Sequence, residues 1–336
     1  MIGDGHPTFV VAEIGSNHDQ DLGQALALIE AAATAGVDAV KFQTFQASQL
    51  YSKRTPGFSY LNDVDTYSLL ESLELDRSWQ HSLRQRAREC NIEMFSSPFD
   101  FEAIETLEAI GVPLHKLASF DLPDTDLVRA LARTGKPLVM STGLATWMDI
   151  DIAVGAARDE GNEALVLLQC TSLYPAPTHL SNLAAMESMR RAFGTLIGYS
   201  DHTLGDHISL AAVTMGACMI EKHFTLDRKL SGPDHAFAIE PEELSRMVQH
   251  IRDVEAAIGD GRKLGPRPEE AEMALKGRRS LHAAIQIPQG TEIAHDMLVV
   301  KRPGMGLLPM LREHVIGRRA TRDILEDEWI TWEMLG

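Results

Sequence analysis

Three cysteines in 336 residues, Cys90, Cys170 and Cys218, are too few and too scattered for a disulfide framework. None forms a CxxC pair, so no zinc ribbon or dithiol redox centre is expected, and all three read as reduced core residues of a cytoplasmic protein. No apolar run approaches the roughly 18 residues that span a bilayer, so no membrane partner is expected. Residues 1–15 lack a basic stretch followed by an apolar one, so no signal peptide is expected. Positive charge is also scarce. Lys and Arg number 31 against 48 Asp and Glu, a net charge of −17. That balance excludes a general binder of nucleic acid or anionic membrane and leaves room only for a local basic pocket.

What is present is ordinary in amount and regular in order. Apolar residues make up 44% and charged residues 24%, as in globular proteins at large. Short apolar, β-rich runs at 8–12, 39–42, 93–95, 115–118, 137–140, 164–168, 195–198 and 218–220 read as strands. Helical patterns follow them at 22–35, 76–90, 101–110, 125–133, 146–158, 183–193, 208–215 and 241–258. In the first helix Leu22, Ala25, Leu26, Ile29 and Ala33 share a face, and Gly36 closes it. Pro241 suits the first turn of the last one. The segment 46–65 is too rich in Gly, Ser, Asp and Pro for regular structure, and long loops of this kind are commonly functional. Eight strand–helix units in about 250 residues predict a (β/α)8 TIM barrel over residues 1–258. Residues 259–277 read as a Gly- and Pro-rich linker, with a helical turn near 269–275. Residues 278–336 read as a small β-rich domain, small enough to need a partner surface.

The polar residues gather at strand ends: Glu13, Lys41, Gln43, Ser97, Lys116, Ser119, Asp121, Thr142, Ser172, Ser200, His202, Glu221 and His223. In a parallel barrel those ends meet at one mouth, where such enzymes carry their chemistry. Lys41 and Lys116 lie within their strands, and a lysine aimed into a barrel needs an anion. His202 and His223 sit just past two successive strands with carboxylates nearby, a candidate divalent-metal site. An anionic phosphorylated substrate beside a Lewis acid suits carbon–carbon bond formation between an aldehyde and an enol phosphate. It suits a metal-dependent aldolase equally, and spacing does not choose between them.

The segments AEIGSNH, KFQTF, FSSPFD, KLAS, STG, CTSLYPAP, GYSDHTLG, EKHFT and GPDH, in this order, closely resemble the sialic acid synthases. RRSL and KRPGMGL resemble that family's C-terminal antifreeze-like (SAF, β-clip) domain, so the likeness runs from about Thr8 to Trp332. The resemblance implies condensation of phosphoenolpyruvate with an open-chain N-acyl hexosamine, giving a nine-carbon 2-keto acid and phosphate, with a divalent metal (manganese or magnesium). By motif, His202 and His223 would hold the metal, and Lys41, Ser97, Lys116, Ser119, Ser172 and Ser200 would hold phosphoenolpyruvate. Glu13, Gln43, Tyr174 and Asp234 would hold the sugar, and Glu13, Asp121 and Glu221 would supply the catalytic carboxylates. A domain-swapped homodimer is implied, with Arg302 reaching the sugar held by the other subunit. Asp121 stands where the family often has Glu. KLASF is similar to the pseudaminic branch, whereas KFQTF and GPDH are similar to the neuraminic and legionaminic branch, so the amino sugar stays open. The alternatives are another phosphoenolpyruvate–aldose condensing enzyme and a non-catalytic carbohydrate-binding scaffold.

Overall fold

Each of the eight apolar runs forms a strand: β1 (Phe9–Gly15), β2 (Ala39–Thr44), β3 (Glu93–Pro98), β4 (His115–Leu117), β5 (Leu138–Ser141), β6 (Leu165–Cys170), β7 (Leu196–Asp201) and β8 (Met219–His223). In the computed structural model, which describes residues 1–3, 5–57 and 65–336, a helix follows each strand. These are α1 (Leu22–Ala35), α2 (Gln80–Glu89), α3 (Phe101–Ala109), α4 (Thr125–Arg133), α5 (Trp147–Asp159), α6 (Ala184–Phe193), α7 (His207–Thr214) and α8 (Pro241–Ile258). The strands are parallel in the order β3-β2-β1-β8-β7-β6-β5-β4, and the two end strands lie side by side to complete the barrel.

Local chemistry sets the helix ends. Asp21 caps α1 by accepting from the Gln24 N–H, and Gly36 ends it at φ 88°. Thr146 and Asp149 form a reciprocal capping box on α5. Pro241 opens α8 between the boxed pair Glu240 and Glu243. The helix expected from residue 76 begins instead with a 3-10 turn at Arg77–Trp79, because Asp76 caps Ser78 one turn early. The excursion expected to be irregular contains a turn of helix at Ala47–Leu50, and its residues 58–64 lie outside the described ones.

The strands run further toward their carboxyl ends than their apolar cores suggest. Glu13, Gln43, Ser97, Ser200, Glu221 and His223, expected past the strand ends, are therefore ladder residues, as Lys41 was expected to be. Side chains two apart share a strand face, so the interior can be read off in steps. Going up the barrel, Val11 gives way to Glu13, Ala39 to Lys41 and Gln43, Phe95 to Ser97, and Met219 to Glu221 and His223. The lower residues of these pairs belong to one buried cluster that also holds Val139, Val166 and Leu168. A separate, larger cluster fills the layer between sheet and helices. The barrel is thus plugged by apolar side chains below and lined by polar ones above. Gly198 belongs to the plug: a Cβ there would lie 2.6 Å from both Leu168 Cδ2 and the Met219 carbonyl oxygen.

Residues Asp260–Gly336 form a second compact unit. The stretch read as a linker belongs mostly to this unit and contains the helix α9 (Ala271–Gly277). An antiparallel ladder joins β9 (Ser280–Ala283) to β10 (Leu298–Lys301). Within the stretch read as β-rich, residues 315–330 contribute isolated bridges, among them Ile287 with Ile324 and His282 with Trp329, rather than a continuous strand. Leu281, Ile287, Ile293, Ile324 and Ile330 form its own core.

Candidate active site

The polar upper interior is crossed by ion pairs that the strand register dictates. Glu13 pairs with Lys41 across β1 and β2, and Lys41 Nζ lies 2.7 Å from Glu13 Oε2. The same ammonium is 3.8 Å from Glu221 Oε2 and donates to Ser97 Oγ at 3.4 Å. Gln43 Nε2 donates to the other Glu13 oxygen at 2.7 Å. Ser200, paired with Glu221 across β7 and β8, donates to Glu221 Oε1 at 3.1 Å. On the opposite wall Lys116 Nζ donates to Ser141 Oγ at 2.7 Å and to the Leu117 carbonyl at 3.0 Å.

These groups are almost wholly buried, and that fixes their charge states. Burial favours the neutral carboxyl of Glu13 and outweighs the pull of Lys41, so its pKa is raised. Glu221 meets the same burial but faces both Lys116 and Lys41, which hold its pKa below the ordinary value. Burial opposes charge on Lys41, yet Glu13 and Glu221 overcome it and raise its pKa. Lys116 has no carboxylate in direct contact among the described residues, and burial lowers its pKa. Asp121 follows β4 in a 3-10 turn, where burial and then Asp124 push its pKa up to about 6. One of its oxygens, Oδ2, has no hydrogen-bond partner among the described residues.

Beyond β5 the chain comes very close to its neighbours. The Gly143 N–H donates to Ser119 Oγ at 3.0 Å. A Cβ on Gly143 would lie 2.3 Å from Ser172 Oγ and 2.8 Å from Ser119 Oγ. Ser172 Oγ is itself buried without a partner among the described residues. An unsatisfied hydroxyl and a serine-rich cradle beside Lys116 are donors waiting for an anion.

Two imidazoles complete the mouth. His202 follows β7, whereas His223, expected beyond its strand, is the last residue of β8. Their rings lie 5.3 Å apart. His202 Nδ1 is 2.7 Å from the Thr171 carbonyl, which can only accept, so Nδ1 carries a proton and Nε2 is the nitrogen left for a ligand; burial opposes charge on the ring, but Cys170, that carbonyl and Glu221 outweigh it and raise its pKa. Burial, then His202 and Lys41, drive the His223 pKa well down, so this ring is neutral, and its Nδ1 has no hydrogen bond among the described residues. Asp234 Oδ2 lies 3.7 Å from that nitrogen and accepts from Ser16 at 3.3 Å. Tyr174 packs at 4.3 Å over His202, and Phe237 at 5.1 Å against His223. With His202 in its neutral form, the two imidazoles, one of them with an unpartnered nitrogen, would fit a divalent cation whose other ligands are water or substrate. Among the described residues no set of three or more His, Cys, Asp or Glu is arranged to hold a metal by itself.

One cavity gathers Glu13, Lys41, Gln43, Ser97, Lys116, Ser119, Tyr174, Ser200, His202, Glu221 and His223. Asp121, Ser172 and Asp234 do not line it, and each touches or faces a residue that does. Arg302 belongs to the second unit, where it lines a depression with Lys263, Arg278 and Glu270. Sequence reasoning passed over Ser141 and Cys170, which also line the cavity. Strand parity finds both, since they sit two residues above the plug residues Val139 and Leu168. Lys222 points the other way. Its ammonium is buried against Asp201 Oδ2 at 2.9 Å and the Thr203 carbonyl at 2.7 Å, behind the barrel wall.

The match to known families decides what this barrel is. Residues 28–263 match the NeuB family and residues 278–336 the SAF domain. The chain belongs to the NeuB family. The N,N'-diacetyllegionaminic acid synthase of Campylobacter jejuni is 39% identical over 330 residues, 96% of this chain and 98% of that protein. The pseudaminic acid synthase of Helicobacter pylori is 34% identical, covering 94% of each chain. The crystal structure of a Leptospira borgpetersenii N-acetylneuraminic acid synthetase in complex with citrate is 34% identical. It superposes with a TM-score of 0.73 over 81% of this NeuB chain and 91% of that one. Relatives of this NeuB-family chain are therefore named as synthases of legionaminic, pseudaminic and N-acetylneuraminic acid.

Proposed function

We propose that this NeuB-family chain condenses phosphoenolpyruvate with an open-chain N-acyl hexosamine to a nine-carbon 2-keto acid, releasing phosphate. The observation that carries the proposal is the pair of buried lysines, Lys41 and Lys116, facing two neutral-capable imidazoles across one barrel mouth. Lys41, Lys116, Ser97, Ser119, Ser172 and Ser200 hold the phosphate and carboxylate of phosphoenolpyruvate. Glu13, Gln43, Tyr174 and Asp234 hold the sugar. His202 and His223 would hold a divalent ion, manganese or magnesium, which when bound would polarise the aldehyde carbonyl.

Carbon 3 of phosphoenolpyruvate forms the new bond to the aldehyde carbon. The aldehyde oxygen takes up a proton, and Glu13, whose burial favours its protonated form, is suited to give it. Water adds to carbon 2 and loses its proton to Glu221 or Asp121; the lysines keep Glu221 ionised. Cleavage of the carbon–oxygen bond then expels phosphate, which takes up the remaining hydroxyl proton, and leaves the keto group. Ser141 keeps the Lys116 ammonium aimed into the cavity throughout.

Two copies exchange their C-terminal units in this reading, so Arg302 of one copy meets the N-acyl group held by the other. No helix among the described residues is long and apolar enough to cross a membrane, and the substrates are those of the cytoplasm. The test is a substrate panel of N-acetylmannosamine and 2,4-diacetamido hexoses with phosphoenolpyruvate and manganese. Phosphate release and product mass are the readouts. If no member yields a 2-keto acid, and His202→Ala binds manganese as tightly as the native chain, the proposal fails.

A further inference from the structure

The segment from Gly232 to Ile239 presents two side chains to the candidate metal histidine, Asp234 and Phe237. It is otherwise a loop, with one 3-10 turn at His235–Phe237. A carboxylate on such a loop needs something rigid beneath it if it is to sit in one place. His235 supplies this. Its side chain is fully buried, and it points away from the cavity. Nε2 lies 3.0 and 3.1 Å from the two Asp19 oxygens, and Nδ1 lies 2.6 Å from Thr225 Oγ1. A carboxylate only accepts, so Nε2 carries a proton and the ring is held from both sides.

The other end of this contact is equally constrained. Asp19 has φ 49°, a left-handed conformation that costs energy for a residue with a side chain. Gln24 Nε2 donates to Asp19 Oδ2 and to the Asn17 carbonyl, both at 2.7 Å, which ties Asp19 to helix α1. Gly232 closes over the pair: a Cβ there would lie 2.8 Å from His235 Cδ2 and 3.2 Å from Asp19 Oδ1. The loop after β1 and the loop after β8 are thereby fastened through one buried contact. Ser16 and Asp234, the two residues that meet at the mouth, stand three residues before Asp19 and one before His235.

We propose that the Asp19–His235 contact is a latch that positions Asp234, and so sets affinity for the sugar without taking part in the chemistry. The proposal rests on the condensing function given above for its kinetic test. His235 is a positioning residue, since it touches neither the cavity nor the reacting atoms. Losing a hydrogen bond to a charged group is worth roughly 1.5–3 kcal/mol, about 10- to 100-fold in affinity. Asp19→Ala and His235→Ala should therefore each raise KM for the sugar by about tenfold or more. KM for phosphoenolpyruvate should stay within about twofold, because Lys41 and Lys116 do not depend on this loop. The double variant should be no worse than the poorer single one, as expected for two halves of one contact. His235→Gln, which can place an amide N–H where Nε2 stood, should recover most of the loss.

Equal effects on both substrates, additive losses, or no recovery in His235→Gln would overturn the latch. Hydrogen exchange in the ligand-free protein gives a reading independent of turnover. Amides of 232–239 should exchange faster in both alanine variants while β1–β8 keep their protection; unchanged exchange in that segment would also overturn it. A native chain that turns over no sugar while the alanine variants loosen 232–239 would remove the proposed function and leave the latch standing.

Discussion

Replacing Lys41 by Met removes the only ammonium in direct contact with Glu13 among the described residues. Glu13 is 1% exposed and its Oε2 is 2.7 Å from Lys41 Nζ. Methionine matches the length of the lysine stem, so the perturbation is one of charge more than of volume. Leaving one member of a buried pair without its partner costs roughly 3–5 kcal/mol. For a barrel of about 260 residues each kcal/mol shifts Tm by about 2 °C, so the variant should melt roughly 6–10 °C lower at pH 7.5. Glu13 can escape the cost by taking up a proton. Its folded-state pKa, already raised by burial, rises further without Lys41. A carboxyl with a raised folded pKa destabilises most above that pKa, and the penalty disappears as pH falls toward the unfolded value. The deficit in Lys41→Met should therefore shrink between pH 7.5 and 5.5. Adding Glu13→Gln should recover most of it at pH 7.5, because the stranded charge is gone while Glu221 keeps Lys116. Scanning calorimetry on the three proteins at both pH values decides this. A Lys41→Met protein that melts within about 2 °C of the native chain at pH 7.5, or a double variant no better than the single, would refute the account.

Four other outcomes are expected. Asp121→Asn should stabilise the protein above about pH 6, by at most roughly 3 kcal/mol, since a shift from 3.8 to about 6 is about two units. The gain should vanish as pH falls below 4, and urea titrations at pH 7.5 and 4.5 would show it. Gly143→Ala should cost about 1–3 kcal/mol through its contacts with Ser172 and Ser119, and should raise KM for phosphoenolpyruvate more than KM for the sugar. Lys222→Met should lower Tm much as Lys41→Met does, yet leave kcat near native in the folded fraction, because Lys222 lies behind the barrel wall against Asp201. His202→Ala should abolish manganese binding measured by calorimetry, and Arg302→Ala should raise sugar KM with little change in Tm.

The barrel was legible because apolar strand cores and helical repeats are short-range patterns, and all eight units were found in order. The strand ends were not. Glu13, Ser97 and His223 are polar, so hydropathy ended each strand early, whereas the hydrogen-bonded ladder continues through them. Parity along a strand would have recovered Ser141 and Cys170, since the interior face changes from apolar to polar at one height. It would also have separated Lys222 from Lys41 and Lys116. Lys222 is one residue from Glu221 and His223 and so faces outward. The β-rich reading of the small unit was too regular over residues 315–330 for a different reason. Its alternating residues bury against a compact core, but they pair only through single bridges. The hold of His235 on Asp19 joins residues 216 positions apart, and no local signal marks it.

The apolar plug beneath the lysines has a consequence for how a substrate arrives. With a net charge of −17 the molecule as a whole repels a phosphorylated carboxylate. Lys41 is largely offset by Glu13 and Glu221, but Lys116, with no carboxylate contact among the described residues, sits on an insulating floor with low-dielectric walls, so its field is channelled upward through the mouth instead of dissipating through the body. The attractive region is therefore a narrow beam above the barrel, surrounded by a repulsive shell. Added salt should then act on capture in two opposed ways, weakening the shell at long range and the beam at short range. The rate of phosphoenolpyruvate association should pass through a maximum with ionic strength, where a uniformly basic surface would give only a decline.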